Sequence, residues 1–157
     1  MTRDTVHAPD APAAVGPYSH AVRAGELVYL SGQTPLDPAT GQLVAGGIAD
    51  QAAQCFRNLF QVLSAAGLGP DDVVKANVFL TDMADFTAMN EVYARQFARP
   101  FPARTTIGVA ALPLGARVEI ELVALVPAKV SRRAPSRRPA PRAARARTGR
   151  RTRARGR

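Results

Sequence analysis

Apolar and charged positions alternate along residues 116–126, where a β-strand is predicted. Successive side chains of a strand point to opposite faces of its sheet. One face of this strand carries the apolar set Val118, Ile120 and Leu122. The other carries the charged set Arg117, Glu119 and Glu121. Charge on a strand that otherwise has the composition of a buried core indicates a polar site.

A second short strand is predicted over 103–110. The same alternation places Arg104, Thr106 and Gly108 on one face, opposite an apolar set that includes Ile107 and Val109. A cation on this strand and the carboxylates on the next could therefore line one small polar site.

The first half of the chain predicts a hairpin and a helix. Residues 27–32 form an apolar run rich in strand formers, and Ala24-Gly25-Glu26 separates it from the run at 18–23, so the two are expected to pair. From Ile48 to Ala66 apolar residues recur at spacings of three and four, and Gly67 stands where a helix C-cap belongs.

The second half predicts a further strand and a further helix before the final two strands. The strand covers 73–80, and the helix covers 84–97 with Asp82 and Asp85 as candidate caps. The resulting order is ββαβαββ. Two helices of this length cover one face of a mixed sheet of five or six strands, which predicts a two-layer α+β sandwich.

The uncovered face of that sheet is expected to mix apolar and charged positions. It would carry Tyr29 and Phe79 beside Glu119 and Glu121, which is too apolar for a fully solvated surface. Association with further copies of the chain would bury it. We therefore expect a homo-oligomer with polar sites where neighbouring subunits meet.

Composition divides the chain into a body, 1–130, and a tail, 131–157. The tail holds 12 of the 21 basic residues and no acid, so the body holds 9 basic and 12 acidic residues, a formal charge of −3. The overall charge of +9 therefore belongs to the tail. Because its composition cannot bury apolar surface, the tail is expected to be disordered and to bind polyanions nonspecifically.

Chemistry that depends on cysteine or metal has little support. The chain has one cysteine, Cys55, and two histidines, His7 and His20, which exclude an internal disulfide and give no metal-ligand cluster. No apolar signal segment or run of about 18 apolar residues is present. We expect a soluble cytoplasmic protein of one domain, without metal or cofactor.

Five stretches make the body resemble the reactive intermediate deaminase family, the RidA or YjgF-like proteins. They occur in the family's order across residues 8–127 and read GPYSHAV (16–22), LSGQTPLDPATG (30–41), VVKANVFLTDMADFTAMNEVY (73–93), PAR (102–104) and ALPLGARVEIE (111–121). The resemblance implies a chorismate-mutase-like α+β fold and a homotrimer with ligand clefts between subunits.

The resemblance also implies hydrolysis of 2-iminobutanoate, 2-iminopropanoate and their enamine tautomers to 2-oxo acids and ammonium. Arg104 matches the family's carboxylate-binding arginine, whose planar guanidinium offers two parallel donors. Glu119 matches the acid that positions or activates water. Tyr18 matches a cleft residue that could assist proton transfer. Further cleft contacts are implied for Ser31, Gly32 and Asn90.

Two positions depart from the family's common pattern. Thr106 stands where many members have cysteine, and Gly108 where glutamate is common. A threonine hydroxyl can still donate a hydrogen bond, so Thr106 is retained as a substrate-binding candidate.

Other functions remain open on the residues themselves. Arg104 could form a structural ion pair with Glu119 or Glu121, and Tyr18 could be an ordinary turn residue. The chain would then be a non-catalytic trimer that binds small carboxylates, or one that displays basic tails to nucleic acid. Hydrolysis requires Arg104 and Glu119 to face one shared cleft.

Overall fold

The computed structural model describes residues 3–127, which form a six-stranded mixed sheet and two α-helices. The predicted tail, 131–157, lies outside the described residues, as does the end of the predicted body at 128–130. The elements in chain order are β1 (Asp4–Val6), β2 (Ala21–Ala24), β3 (Leu27–Gln33), α1 (Ile48–Ala65), β4 (Val73–Leu80), α2 (Phe86–Ala94), β5 (Ala103–Gly108) and β6 (Val118–Leu125).

The strands lie in the order β1-β2-β3-β6-β4-β5. All neighbours are antiparallel except β4 and β5, which are parallel and are joined through α2. The predicted α+β class and the β2–β3 hairpin are confirmed. Strand β1 is absent from the predicted order because its three residues, Asp4–Val6, carry no apolar alternation.

Helix α1 packs on the inner face of the sheet through its predicted apolar stripe. At its start, the backbone N–H of Gly47 donates to the carboxylate of Asp50 at 3.0 Å. At its end, Gly67 has a positive φ of 73°, and the N–H of Leu68 donates to the carbonyl of Leu63 at 2.9 Å. This Schellman-type closure explains why a glycine follows the helix.

Helix α2 is shorter than the predicted span of 84–97. Residues Met83–Asp85 form one 3₁₀ turn, which Asp82 caps by accepting from the N–H of Ala84 at 2.9 Å. The helix ends at Ala94, where the N–H of Arg95 turns to the carbonyl three residues back. Phe97 is buried all the same, because its ring packs 5.8 Å from Phe56 and 5.1 Å from Tyr93.

The alternation predicted Arg117 on the same face as Glu119 and Glu121, and this prediction is wrong. Its guanidinium binds the buried carboxylate of Asp85 through two hydrogen bonds of 2.6 and 3.0 Å. Its backbone N–H donates to the side chain of Gln51 on α1 at 2.9 Å. Because Arg117 precedes the first residue of β6, strand alternation does not fix its direction.

The outer face of the sheet carries large apolar side chains. Tyr29, Ile107 and Leu125 are 49%, 46% and 42% exposed on this face. A neighbouring copy would cover them, so the homo-oligomer remains a prediction of this surface. Among residues 3–127, no helix is long and apolar enough to cross a membrane.

Candidate functional site

A β-bulge in strand β3 forms one wall of the candidate site. Leu30 pairs with Leu122 and Gln33 pairs with Ile120, so β3 advances three residues while β6 advances two. The irregularity falls on Ser31 and Gly32. The Ser31 hydroxyl donates to the carbonyl of Ser19 at 2.7 Å, and this bond ties the bulge to the segment that carries Tyr18.

Gly32 leaves the space that the Glu119 carboxylate occupies. A methyl group built at Gly32 would stand 2.9 Å from the carboxyl carbon of Glu119 and closer still to its Oε1. Any side chain at position 32 would therefore displace Glu119. Glycine is required here for close approach rather than for its backbone angles.

Glu119, Tyr18, Ser31 and Gly32 line one cavity of about 710 Å³. Its other walls include Val15 and Leu114. Partial burial, and secondly the charge of Glu121, raise the pKa of Glu119 above its ordinary value. The structure thus brings together four of the predicted site residues around a carboxylate that binds protons more readily than a solvated glutamate.

The two glutamates of β6 have different surroundings. Glu121 accepts a 2.7 Å hydrogen bond from the amide of Asn77, which agrees with a structural role. Within residues 3–127, no side chain forms a hydrogen bond or ion pair with Glu119. Its oxygens remain free to accept from a water or a ligand.

Arg104 lies on the edge strand β5 and is held by three side chains of α2. Its Nη1 donates to Asn90 Oδ1 at 2.8 Å, and its guanidinium carbon lies 4.5 Å from the ring centre of Tyr93 and 5.6 Å from that of Phe86. Positions 86, 90 and 93 follow the i, i+4, i+7 spacing of one helix face. Asn90, Tyr93 and Arg104 line a second cavity of about 290 Å³.

No carboxylate neutralises Arg104 among the described residues, where Arg117 and Asp85 form the one ion pair. The structural bridge from Arg104 to Glu119 or Glu121 is therefore absent. Asn90 occupies one donor and the aromatic rings support the plane of the guanidinium. The remaining donors can bind an anion.

Thr106 and Gly108 share the inner face with Arg104, because they pair with the buried residues Val78 and Leu80 of β4. The Thr106 hydroxyl is buried without a hydrogen-bond partner in residues 3–127. A Cβ at Gly108 would lie 3.2 Å from the side chain of Met83, so a glutamate there would need Met83 to move.

The alternation of the two strands suggested that Arg104 and Glu119 line a single site. Within one chain they do not. Arg104 pairs with Ala76, a core residue, and faces α2. Glu119 pairs with Phe79, which pairs in turn with the exposed Ile107 on the outer face. Because paired residues share a face, the two candidate groups lie on opposite faces of the sheet.

The contacts of Tyr93 and Phe86 with Arg104 were not predicted from the sequence. Their helical spacing with Asn90 was the signal that could have found them. Burial raises the pKa of the Cys55 thiol, which makes it a poor nucleophile. Among the described residues, no group of three His, Cys, Asp or Glu side chains could hold a metal ion.

Comparison with known proteins adds to this geometry. The family model described as Endoribonuclease L-PSP, which is that of the YjgF/RidA proteins, matches residues 8–126. The chain belongs to the RidA family. It is 49% identical over 125 residues to the 2-iminobutanoate/2-iminopropanoate deaminase of Bos taurus, covering 80% of this chain and 91% of the bovine protein.

Other relatives in the RidA family carry other names. Protein DfrA of Myxococcus xanthus is 49% identical over 127 residues, covering 80% of this chain and 97% of DfrA. Among solved structures, E. coli TdcF with bound serine superposes with a TM-score of 0.73 at 38% identity, covering 78% of this chain and 98% of TdcF. The predicted fold class is thereby confirmed, while the names of the relatives do not define one activity.

Proposed function

We propose that this protein hydrolyses reactive 2-imino acids, such as 2-iminobutanoate and 2-iminopropanoate, to 2-oxo acids and ammonium. The observation that carries the proposal is the guanidinium of Arg104, which neutral partners hold in place and no carboxylate within residues 3–127 neutralises. Such a group is suited to a small anionic ligand. A relative named as this deaminase and another solved with serine, itself a carboxylate, support the assignment.

Arg104 would hold the substrate by its carboxylate. Two parallel N–H donors of a guanidinium match the two oxygens of a carboxylate and fix its plane, which a lysine ammonium does not do. The imine carbon, bonded directly to that carboxylate, is then presented at a defined distance. Thr106 lies on the same face, but its hydroxyl is buried and lines neither cavity, so a contact with the anion would require the site to open toward it.

Glu119 would act on the attacking water. The carboxylate accepts a proton as the water oxygen bonds to the imine carbon, and the C=N π electrons move to nitrogen. Glu119 returns this proton to the nitrogen, which gives a neutral carbinolamine. Transfer of the carbinolamine hydroxyl proton to the same nitrogen, again through Glu119, then breaks the C–N bond, and ammonia leaves as the carbonyl forms. Its raised pKa makes Glu119 a better proton carrier near neutral pH than an ordinary glutamate. No metal or cofactor takes part in these steps.

The other cavity residues would orient the substrate. Tyr18 is half exposed beside Glu119, where its hydroxyl could take part in proton transfer. Ser31 and Gly32 form the wall against which the reacting carbon would rest. Asn90 fixes the orientation of Arg104 through the 2.8 Å hydrogen bond.

A complete site would form between copies of the chain. Arg104 and Glu119 occupy opposite faces in one copy, so a shared cleft needs Arg104 from one subunit and Glu119 from the next. The exposed apolar outer face, with Tyr29 and Ile107, is the surface that assembly would bury. We therefore propose a homotrimer, the assembly that the family resemblance implies.

The first test replaces Arg104. Imines would be generated in place by a threonine or serine dehydratase and their hydrolysis followed by competition with semicarbazide. Arg104→Ala is expected to lower kcat/KM by about 10³-fold or more, and Arg104→Lys to recover little, since a charged, hydrogen-bonded anchor is lost. Arg23→Ala, which removes an exposed arginine from β2, serves as the control. Full activity of Arg104→Ala would refute the assignment, and absence of turnover by the wild-type protein would favour a non-catalytic carboxylate binder.

The second test addresses the shared site. Arg104→Ala and Glu119→Gln, each inactive alone, would be mixed, dissociated and reassembled together. If each site takes its two groups from different copies, random mixing rebuilds about a quarter of the sites. No recovery, with mixed assemblies demonstrated by mass spectrometry, would contradict a site formed between subunits.

A further inference from the structure

His20 lies in the GPYSHAV motif, and the proposed chemistry leaves it without a role. Its side chain is buried, at 3% exposure, directly before β2. The ring Nδ1 receives the backbone N–H of Ala8 at 3.1 Å, and the ring Nε2 lies 2.9 Å from the carbonyl of Pro12. Both ring nitrogens are thus engaged with the chain segment before the motif.

These two partners fix the protonation of the ring. A backbone N–H can only donate, so Nδ1 must accept; a carbonyl can only accept, so Nε2 must donate. The pattern corresponds to neutral histidine with its proton on Nε2. The neighbouring ring of His7, at 5.4 Å between ring centres, packs beside it.

The segment that His20 holds continues into the wall of the Glu119 cavity. Ala8 and Ala11 are buried against the core, and the residues that follow line the cavity together with Tyr18. They are Pro12, Ala13 and Val15. The pair of hydrogen bonds therefore anchors the base of that wall.

His20 also joins this wall to the bulge. Its own carbonyl accepts from the N–H of Ser31 at 3.0 Å, while the preceding carbonyl, of Ser19, accepts from the Ser31 hydroxyl at 2.7 Å. Three residues, Tyr18 to His20, thus connect a proposed proton-transfer group, the bulge beside Glu119 and the anchored segment.

We infer that His20 is a positioning residue, which sets the distance between Tyr18 and Glu119 by pinning the Ala8–Pro12 segment through both ring nitrogens. The inference rests on the proposed function. A residue that merely filled space would be replaceable by an apolar side chain of similar size. A positioning residue requires one acceptor and one donor at the same place.

Two variants separate these roles. His20→Leu fills the space without either hydrogen bond, whereas His20→Gln carries an amide oxygen to accept from Ala8 and an NH₂ to donate to Pro12. In the imine hydrolysis assay, we expect His20→Leu to lower kcat/KM by about tenfold or more and His20→Gln to recover it to within about threefold. Equal activity of wild type and His20→Leu, or equal loss in both variants, would overturn the inference.

Hydrogen exchange and NMR test the two hydrogen bonds of the His20 ring independently of turnover. Hydrogen exchange of the Ala8 amide is expected to be slow in wild type and His20→Gln and fast in His20→Leu. In wild type, ¹⁵N NMR of the histidine rings is expected to show His20 protonated on Nε2, and a proton on Nδ1 would overturn the inference even if His20→Leu does not fold. If the wild-type protein shows both His20 hydrogen bonds but does not hydrolyse imines, the proposed function alone is contradicted.

Discussion

Gly32→Ala tests how closely the bulge and the carboxylate of Glu119 are matched. The added methyl would lie 2.9 Å from the Glu119 carboxyl carbon, where ordinary carbon contacts begin at 3.4 Å, and nearer still to Oε1. The carboxylate must therefore retreat by about 1 Å. The half-buried end of a glutamate can make that movement without disturbing the core.

The expected effect is a selective loss of activity. Displacement of a reacting group by about 1 Å can cost about 10²-fold in rate, so kcat should fall by about that factor. The free energy of unfolding should change by less than about 1 kcal/mol, because only a flexible polar end is moved. Imine hydrolysis and thermal unfolding, measured on the same preparations, would separate the two quantities.

Gly69→Ala is the matched control. Its φ is negative, and a Cβ at Gly69 would meet no atom within 4 Å, so neither activity nor stability should change appreciably. Activity of Gly32→Ala within about twofold of wild type would refute the argument that Glu119 works from the position next to Gly32. A large drop in melting temperature would show that the bulge, rather than the carboxylate, yields to the methyl group.

Three further substitutions test the Glu119 carboxylate, the hydrogen bonds of Asn58 to the loop at residues 34–36, and the aromatic contact of Tyr93 with Arg104. Because the pKa of Glu119 is raised, the stability that comes from its protonation is full below about pH 4.3, the pKa of an unfolded glutamate, and is lost as pH rises through the folded pKa. Glu119→Gln should therefore be more stable than wild type only toward neutral pH. Melting temperatures of the two proteins that change in parallel from about pH 3.5 to 7 would contradict this. Asn58→Ala removes the donor to the carbonyls of Thr34 and Leu36, at 3.2 and 2.9 Å, and should destabilise by about 3 kcal/mol in urea unfolding. Tyr93→Leu should raise KM about tenfold by removing the ring under Arg104, whereas Tyr93→Phe keeps that ring and should leave KM unchanged.

Local patterns predicted most of the elements. The periodicity from Ile48 with Gly67 after it corresponds to α1, and the apolar run at 73–80 matches β4 at both ends. Each of these signals lies within one segment and reflects burial of one face. The three residues of β1 have no such signal, because pairing with β2 rather than burial keeps them in the sheet.

The relation between the two charged strands could not be obtained in the same way. Alternation tells which residues of a strand share a face, but not which face meets the core. The apolar set of β5, including Ile107, has the appearance of a core face, yet it lies outside while Arg104 faces α2. An edge strand whose outer face is apolar and exposed breaks the usual rule that the apolar side is the inner one.

The bulge escaped prediction for a related reason. Ser31 and Gly32 continue the strand composition of Leu27–Leu30, and only the pairing with β6 reveals the extra residue. A glycine within a strand is a known sign of a bulge or of close approach. Gly32 marks both a bulge and a close approach. The sequence does not reveal that the approaching group is the carboxylate of Glu119, the proposed reacting group.

The opposite placement of Arg104 and Glu119 has a physical consequence for the proposed chemistry. On one face of one chain, a guanidinium and a carboxylate at contact distance would form an ion pair, and substrate would have to break it. Separated by the sheet, each retains free hydrogen-bonding capacity and would meet its counterpart only in the proposed assembly. The raised pKa of Glu119 agrees with a carboxylate that no cation within residues 3–127 pairs with. Activity should consequently depend on protein concentration wherever the assembly dissociates, since the dissociated chain holds both groups but no site.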